Sequence, residues 1–332
     1  GVPGFMQITM AHGSGGRLTG ELIETIFAPA FDNEVLLQME DSAVVPGAGR
    51  LAVTTDSFVV DPLFFPRGDI GKLSICGTGN DLLMRGAEPK YLTCGFLLQE
   101  GLSTDLLKRA VQSMAQTARE AGVKLFAGDT KVIPGDGGLY INTAGVGFVP
   151  DECHISAACC RPGDAVLVSG TLGDHHAAIL SSRLGIQNEI KSDCAPLGAL
   201  VNALKQAKID VHALRDITRG GLATVCRELA GASACRFQLE EEKLPVKPAV
   251  RDLCGLLGLD PLYMGNEGCL VAIVPQEQAE KALNALRACG EGVAACQIGQ
   301  VEEGDGALFL RTSIGGQRRL EVLQGEGLPR IC

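Results

Sequence analysis

The chain alternates between two hydrophobic repeats, one typical of strands and the other of helices. Short apolar or period-two runs predict strands at 51–55, 91–98, 123–127 and 139–149. Between them, residues 103–121 predict an amphipathic helix that Gly122 ends. Its apolar positions recur at helical spacing: Leu106, Ala110, Met114 and Ala118. The first half of the chain therefore reads as mixed α/β.

A second helical segment, residues 70–85, contains Gly77 and Gly79. Glycine weakens a helix interior, so its presence calls for another reason, such as room for a close neighbour. We expect other parts of the chain to approach this helix closely at both glycines.

Composition changes between residues 150 and 163, which hold two prolines and three cysteines. The strand and helix patterns then resume, with strands predicted at 165–169, 270–274 and 293–298 and helices at 196–207, 218–230 and 276–289. These patterns predict two consecutive α/β domains, 1–152 and 153–322. Residues 323–332 contain glycine and proline without periodicity, and we expect a mobile tail.

Charge and cysteine content narrow the class of protein. A net charge of -10 without a basic stripe argues against nucleic-acid binding. No apolar run reaches the roughly 18 residues of a membrane span. Thirteen scattered cysteines, most of them in apolar surroundings, predict reduced thiols in a cytoplasmic protein.

Aspartates at strand ends or beside glycine form the main chemical pattern. The six are Asp41, Asp56, Asp81, Asp129, Asp174 and Asp216. Singly, each is typical of a turn or a helix cap. Together they favour Mg²⁺, which prefers carboxylate oxygens and keeps phosphate oxygens as further ligands. Phosphoryl transfer needs mainly such positioning and charge neutralisation.

The usual phosphate-binding motifs are absent from the sequence. It has no GxxxxGK[ST] run, and Gly77, Gly79 and Asp81 do not complete GxGxxG. The run HGSGG at 12–16 could form a backbone cradle for an anion or a plain turn.

Several of these segments, in order, resemble a known superfamily. They are EDSAVV, TTDSFVVDPLFFP, GTGNDLLMRGAEPKYLTCGF, AGDTK, SGTLGDH, RDITRGGL and GNEG. The set is similar to the ATP-binding superfamily of aminoimidazole ribonucleotide synthetase, selenophosphate synthetase and thiamine-monophosphate kinase. AHGSGG near the start and LPRIC at 328–332 look like the hydrogenase-maturation carbamoyl dehydratases, the HypE family.

That resemblance implies a fold, a reaction and partners. The superfamily fold has two α/β domains and a β-barrel that forms between the first domains of a homodimer. In the family, the carbamoyltransferase HypF loads a carbamoyl group onto the last cysteine, here Cys332. ATP then drives its dehydration to a thiocyanate, and a HypC–HypD complex accepts the cyanide for the iron of [NiFe]-hydrogenase.

The resemblance also implies roles for single residues. It implies metal ligands at Asp41, Asp56, Asp81 and Asp216, and ATP contacts at His12, Gly13, Asn80, Asp129 and Thr130. Lys131 and Glu267 match the proposed catalytic residues, where a carboxylate acts as base and a lysine stabilises charge. Without the family context, Lys131 is typical of a surface lysine, Glu267 of a loop residue and Cys332 of an exposed thiol.

Other interpretations stay open at this point. Selenophosphate synthetases use a reactive cysteine or selenocysteine and a lysine near the N-terminus, whereas here the first cysteine is Cys76 and the first lysine is Lys72. A metal or redox chaperone is the alternative from another class, based on Cys153, His154, Cys159 and Cys160. His175 or His176 could line the nucleotide site, and Arg330 could dock the loading partner.

Overall fold

The structure, a computed structural model, describes residues 6–13, 17–38, 42–324 and 327–332. Its strands before residue 150 are β1 (Leu51–Phe58), β2 (Phe64–Phe65), β3 (Gly68–Asp69), β4 (Glu88–Gln99), β5 (Lys124–Ile133) and β6 (Leu139–Phe148). The helices are α1 (Arg17–Leu22), α2 (Ala28–Phe31), α3 (Ile70–Leu83) and α4 (Thr104–Ala121), with a π-helical turn at Ile23–Phe27 between α1 and α2. All the strands and helices predicted for this half are confirmed.

Four of these strands form an open sheet in the order β1-β6-β4-β5. The β4–β5 pair is parallel and the other two pairs are antiparallel. One face packs against α3 and α4, while the other exposes apolar side chains such as Leu51, Val53 and Leu97. The strands described in one chain do not close into a barrel, and β1 and β5 remain the two edges.

Helix α3 is buried along almost its whole length. It begins at Asp69, whose carboxylate accepts hydrogen bonds from two main-chain N–H groups of the first turn. At Gly77 a Cβ would lie 2.6 Å from the ring of Phe58, so the predicted close approach is confirmed there. At Gly79 the prediction of a close approach is wrong, because a Cβ there would meet nothing within 4 Å.

Residues after the junction form a seven-stranded sheet and the helices around it. The strands are β7 (Asp164–Val168), β8 (Ala213–Asp216), β9 (Arg236–Glu240), β10 (Leu270–Pro275), β11 (Cys296–Glu302), β12 (Leu308–Arg311) and β13 (Gln317–Leu320). The helices are α5 (Asp174–Leu184), α6 (Gly198–Gln206), α7 (Gly221–Ser233), α8 (Pro248–Leu257) and α9 (Ala279–Arg287). The predicted elements are confirmed, whereas α5, α8 and four strands had no prediction.

The second sheet has the order β13-β12-β9-β11-β7-β10-β8. The β9–β12 pair is parallel and the other pairs are antiparallel. Apolar clusters cover both of its faces, so its central strands β7 and β10 are buried on both sides. Among the described residues, no helix has the length and apolar character needed to cross a bilayer.

Residues 327–332 return to the first sheet and lie beside the segment that follows β1. The N–H of Val59 donates to the Cys332 oxygen at 3.1 Å, and the N–H of Asp61 donates to the Arg330 oxygen at 3.0 Å. Ile331 is 3% exposed and belongs to the first core, which is the apolar cluster between the first sheet and helices α3 and α4. The structure thus shows residues 327–332 bound to their own chain, in a position that we call the seat of the tail. The mobility of the tail stays a prediction.

The two glycines of α3 give a matched test of this packing. We expect Gly77→Ala to lower the free energy of unfolding by about 1–3 kcal/mol, because the new methyl group collides with buried Phe58. Gly79→Ala should instead raise it by up to about 1 kcal/mol, since alanine favours a helix. Urea unfolding of both variants checks this, and equal effects would contradict the role of Gly77.

Candidate active site

Three aspartates from different elements meet between the two sheets. Asp56 lies in β1, Asp81 in α3, and Asp216 ends β8. Asp81 and Asp216 share a hydrogen bond, and the Thr54 hydroxyl donates to Asp81 at 3.4 Å. The fold thus brings together three of the four predicted metal ligands. The fourth, Asp41, lies outside the described residues.

These carboxyl groups resist ionising together. Burial, followed by the charge of Asp56, raises the pKa of Asp81 to about 6. Burial, followed by the charge of Asp81, raises the pKa of Asp216 to about 7. Burial also raises the pKa of Asp56. Carboxylate oxygens are the ligands that a hard divalent cation prefers, and the charge of a cation would relieve the repulsion.

Glu267 lies close to this cluster on the loop that precedes β10. Its main-chain N–H donates to Asp193 at 2.9 Å, and the Asn266 amide donates to the other oxygen of Asp193 at 2.8 Å. A Cβ at Gly268 would lie 1.8 Å from the Asp193 carbonyl oxygen. Asn266 and Gly268 of the GNEG sequence are therefore needed for this loop to pack against residue 193.

The Glu267 side chain is only 5% exposed. Burial raises its pKa well above the ordinary value, and Cys194 and Asp216 raise it further. This environment favours the neutral carboxyl form of Glu267 over its carboxylate.

Cys332 is half-buried against the first core, beside Glu267. Burial, followed by the charge of Glu267, raises the pKa of its thiol to about 12, and Arg219 opposes the rise. The seated sulfur is consequently a thiol and not a thiolate.

Lys131 and Asp129 form a second, exposed group on β5. The Lys131 ammonium lies 2.7 Å from the Asp129 carboxylate and holds its pKa below the ordinary value. Together with Gly13 and Thr130, they line a cavity of about 420 Å³. Since β1 and β5 are opposite edges of the sheet, about 14 Å of sheet separates this strand from that of Asp56.

Comparisons with known proteins place the chain in a family. The AIR synthase related N-terminal and C-terminal domain families match residues 39–149 and 161–310. The carbamoyl dehydratase HypE of Escherichia coli (strain K12) is 49% identical, over 98% of this chain and 99% of the relative. The chain belongs to the HypE family.

Two solved structures of HypE proteins extend the likeness to three dimensions. A HypE in complex with ATP superposes with a TM-score of 0.93 at 46% identity, covering 97% of this chain and 99% of the other. The chain in a HypE–HypF complex gives a TM-score of 0.79 at 44% identity, covering 91% and 99%.

Two predicted ATP contacts have structural partners within the chain. His12 is buried, and its Nδ1 accepts from the Thr9 N–H at 3.0 Å. The Asn80 amide donates to the Ala195 oxygen at 3.1 Å and accepts from the Leu197 N–H at 2.9 Å. Asn80 thereby ties α3 to the segment before α6, away from the Lys131 cavity.

Sequence reasoning missed two residues of this HypE-family site, Arg219 and Asp193. Arg219 carries a positive charge that acts on both Asp56 and Cys332. It lies in the RDITRGG motif, so its position next to Asp216 was an available signal. Asp193 lies in no recognised motif, so no comparable signal pointed to it.

The cysteine cluster at the junction makes contacts with the main chain. The Cys153 thiol donates to the Arg85 oxygen and the Cys159 thiol to the His154 oxygen. Across the described ranges, neither these residues nor the aspartates form a group of three His, Cys, Asp or Glu side chains arranged around one metal position.

The raised pKa of Asp216 predicts how stability depends on pH. A group that holds its proton more tightly when folded stabilises the fold at low pH and loses that effect as pH rises through its folded pKa. Without divalent cations, the free energy of unfolding should therefore fall between about pH 5 and pH 7.5. Asp216→Asn should flatten this fall and add about 1–3 kcal/mol at pH 7.5.

Urea unfolding in EDTA at both pH values measures the effect. Asp252→Asn, at an exposed position of α8, is the matched control. Parallel pH curves for Asp216→Asn and the unaltered protein would contradict the electrostatic account.

Proposed function

We propose that this protein is a carbamoyl dehydratase that spends ATP on a carbamoyl group carried by Cys332. The observation that carries the proposal is the seat of Cys332, half-buried beside Glu267 and the aspartates. A solvent-exposed tail thiol would need no such seat. The family assignment and the relatives named carbamoyl dehydratase support the same reaction.

The reaction removes the elements of water from an S-carbamoyl group. The carbonyl oxygen attacks the γ-phosphorus of ATP, and ADP leaves. The nitrogen then loses its protons, the C–O bond breaks, and C≡N forms on the Cys332 sulfur. The carbonyl oxygen leaves within inorganic phosphate. ATP is needed because an amide oxygen is otherwise a poor leaving group.

The donor chemistry of the cleft fits MgATP. Asp56, Asp81 and Asp216 would hold Mg²⁺, with Asp41 as the family's fourth ligand, and the cation would neutralise phosphate charge. The remaining ATP contacts of the proposal are His12, Gly13, Asn80, Asp129 and Thr130. Of these, Gly13, Asp129 and Thr130 share the Lys131 cavity.

Glu267 is the proposed base for the nitrogen protons. A base must first be ionised, and burial, followed by the charges of Cys194 and the aspartates, raises the pKa of Glu267 and works against this. Cation binding at the aspartates would weaken that repulsion and lower the pKa. Lys131 would stabilise negative charge that develops on the reacting group.

A homodimer joins the two halves of the site in this proposal. Within one chain, β1 carries Asp56 and β5 carries Lys131 at opposite sheet edges. Pairing β5 with β1 of a second copy would close the open sheets into the expected barrel and cover Val53, which is 70% exposed. The first domain (1–152) would bind ATP and dimerise, and the second (153–322) would cover the site.

Two partners complete the proposed cycle. A HypF-type carbamoyltransferase would load Cys332, in line with the solved HypE–HypF complex. A HypC–HypD complex would accept the cyanide. Both steps require the tail (323–332) to leave its seat.

Oxygen tracing tests the chemistry directly. Protein loaded with a carbamoyl group labelled with ¹⁸O should transfer the label to inorganic phosphate when MgATP is added, as read by mass spectrometry. The Cys332 peptide should change from carbamoyl to thiocyanate. Phosphate without the label, with thiocyanate formed, would overturn the phosphorylation step.

The base is tested by Glu267→Gln on the same loaded protein. We expect loading to be unchanged and dehydration to slow by about 10²–10⁴-fold. In the unaltered enzyme the dehydration rate should rise with pH through one ionisation, because the carboxylate is the active form. A pH profile that keeps its shape in Glu267→Gln would contradict this role.

The shared site is tested by mixing two inactive variants. Lys131→Ala and Glu267→Gln each lack one component, so each homodimer should be inactive. If Lys131 acts on the site of the partner subunit, mixed dimers regain one intact site, and activity should reach about a quarter of the unaltered level. No recovery, with subunit exchange shown by mass, would place both residues in one chain's site.

A further inference from the structure

The main-chain oxygens of Arg330, Ile331 and Cys332 accept hydrogen bonds from two different parts of the chain. Those of Arg330 and Cys332 face the segment after β1, where the Asp61 and Val59 N–H groups donate to them. The Ile331 carbonyl instead accepts from Nε2 of His175 at 2.5 Å. Helix α5 therefore supplies the hydrogen-bond donor for the Ile331 oxygen, which the segment after β1 does not reach.

The protonation of His175 follows from its neighbours. A carbonyl only accepts, so Nε2 must carry the hydrogen. Burial lowers the pKa of His175 to about 4, so the ring is neutral and Nδ1 is an acceptor. The Ser192 hydroxyl lies 2.7 Å from Nδ1 and itself accepts from the Cys194 N–H at 3.0 Å. Ser192 thus donates to Nδ1 and fixes the tautomer.

Arg183, two turns further along α5, makes the second contact. Its Nε donates to the Asp61 oxygen at 2.6 Å, and its terminal nitrogen donates to the Arg330 oxygen. It thereby bridges the tail and the segment beside it. His175 and Arg183 are separated by eight residues, or about 12 Å along the helix, and so span the last residues of the tail.

The side chains of the tail add contacts to the same seat. Ile331 packs against Gly265, where a Cβ would lie 3.2 Å from its Cδ1. Nε of Arg330 donates to the Val59 oxygen at 3.0 Å. In this position Arg330 therefore binds its own chain.

We infer that His175 and Arg183 of α5 are positioning residues that latch the tail and hold the Cys332 sulfur beside Glu267. The inference deepens the proposed function, since it rests on Cys332 as the carrier. The latch also sets how often the tail leaves its seat to meet another protein.

Alkylation of Cys332 tests the latch without any carbamoyl chemistry. The seated thiol has a pKa of about 12 and reacts poorly, so iodoacetamide reports the released fraction. The labelling rate is read from the mass of the peptide that contains Cys332. Cys289, half-buried on another face, is the internal control in the same digest.

His175→Leu removes the donor and should speed Cys332 labelling by about threefold to tenfold, the cost of one buried hydrogen bond. His175→Gln keeps an N–H near the position of Nε2 and should restore much of the slow rate. Cys289 labelling should not change in either variant. A general loosening of the fold would raise both rates and overturn the inference.

Arg183→Ala is the second test, and it decides the matter if His175→Leu does not fold. It should also speed Cys332 labelling, because Arg183 is half-buried and bridges the tail. Unchanged Cys332 labelling in a folded variant would overturn the latch. Failure of dehydration with normal labelling would count against the proposed function alone.

Discussion

Acidic groups crowded into one cleft are the constraint on which the site depends. Asp56, Asp81, Asp216 and Glu267 come from a strand, a helix, a strand end and a loop, and each of the three aspartates raises the pKa of at least one other member. An arrangement that costs stability at neutral pH persists only where the fold holds it by other contacts. Those contacts include the packing of α3 against Phe58 and the GNEG loop against Asp193.

The same crowding explains why the tail is held by many weak contacts. A thiolate would add another negative charge beside Glu267, so the seat favours a neutral Cys332 side chain. Main-chain hydrogen bonds to Val59 and Asp61, together with buried Ile331, stabilise the tail without adding charge. Under the proposed function, the tail has to leave this set of contacts in order to meet other proteins.

The sequence predicted local elements well and long-range placement poorly. The apolar residues of α4 recur every four positions, and this pattern predicted the bounds of the helix to within one residue. Helix α5 had no prediction because its first six residues are all buried although three of them are polar, so no apolar stripe marks the helix. Motifs named the aspartates and Cys332, yet the His175–Ile331 contact joins residues 156 positions apart, and nothing local signals it. The expectation at Gly79 failed because a glycine can also leave open space.

The seat also bears on how Cys332 acquires its carbamoyl group. The sulfur must attack as a thiolate, and in the seat its pKa of about 12 leaves almost none ionised at neutral pH. An S-carbamoyl group is neutral, so it suffers no such penalty beside Glu267. Under the proposed function, the seat therefore selects the loaded tail over the ionised one. Loading then has to occur outside the seat, where a partner can supply the positive charge that ionises the thiol.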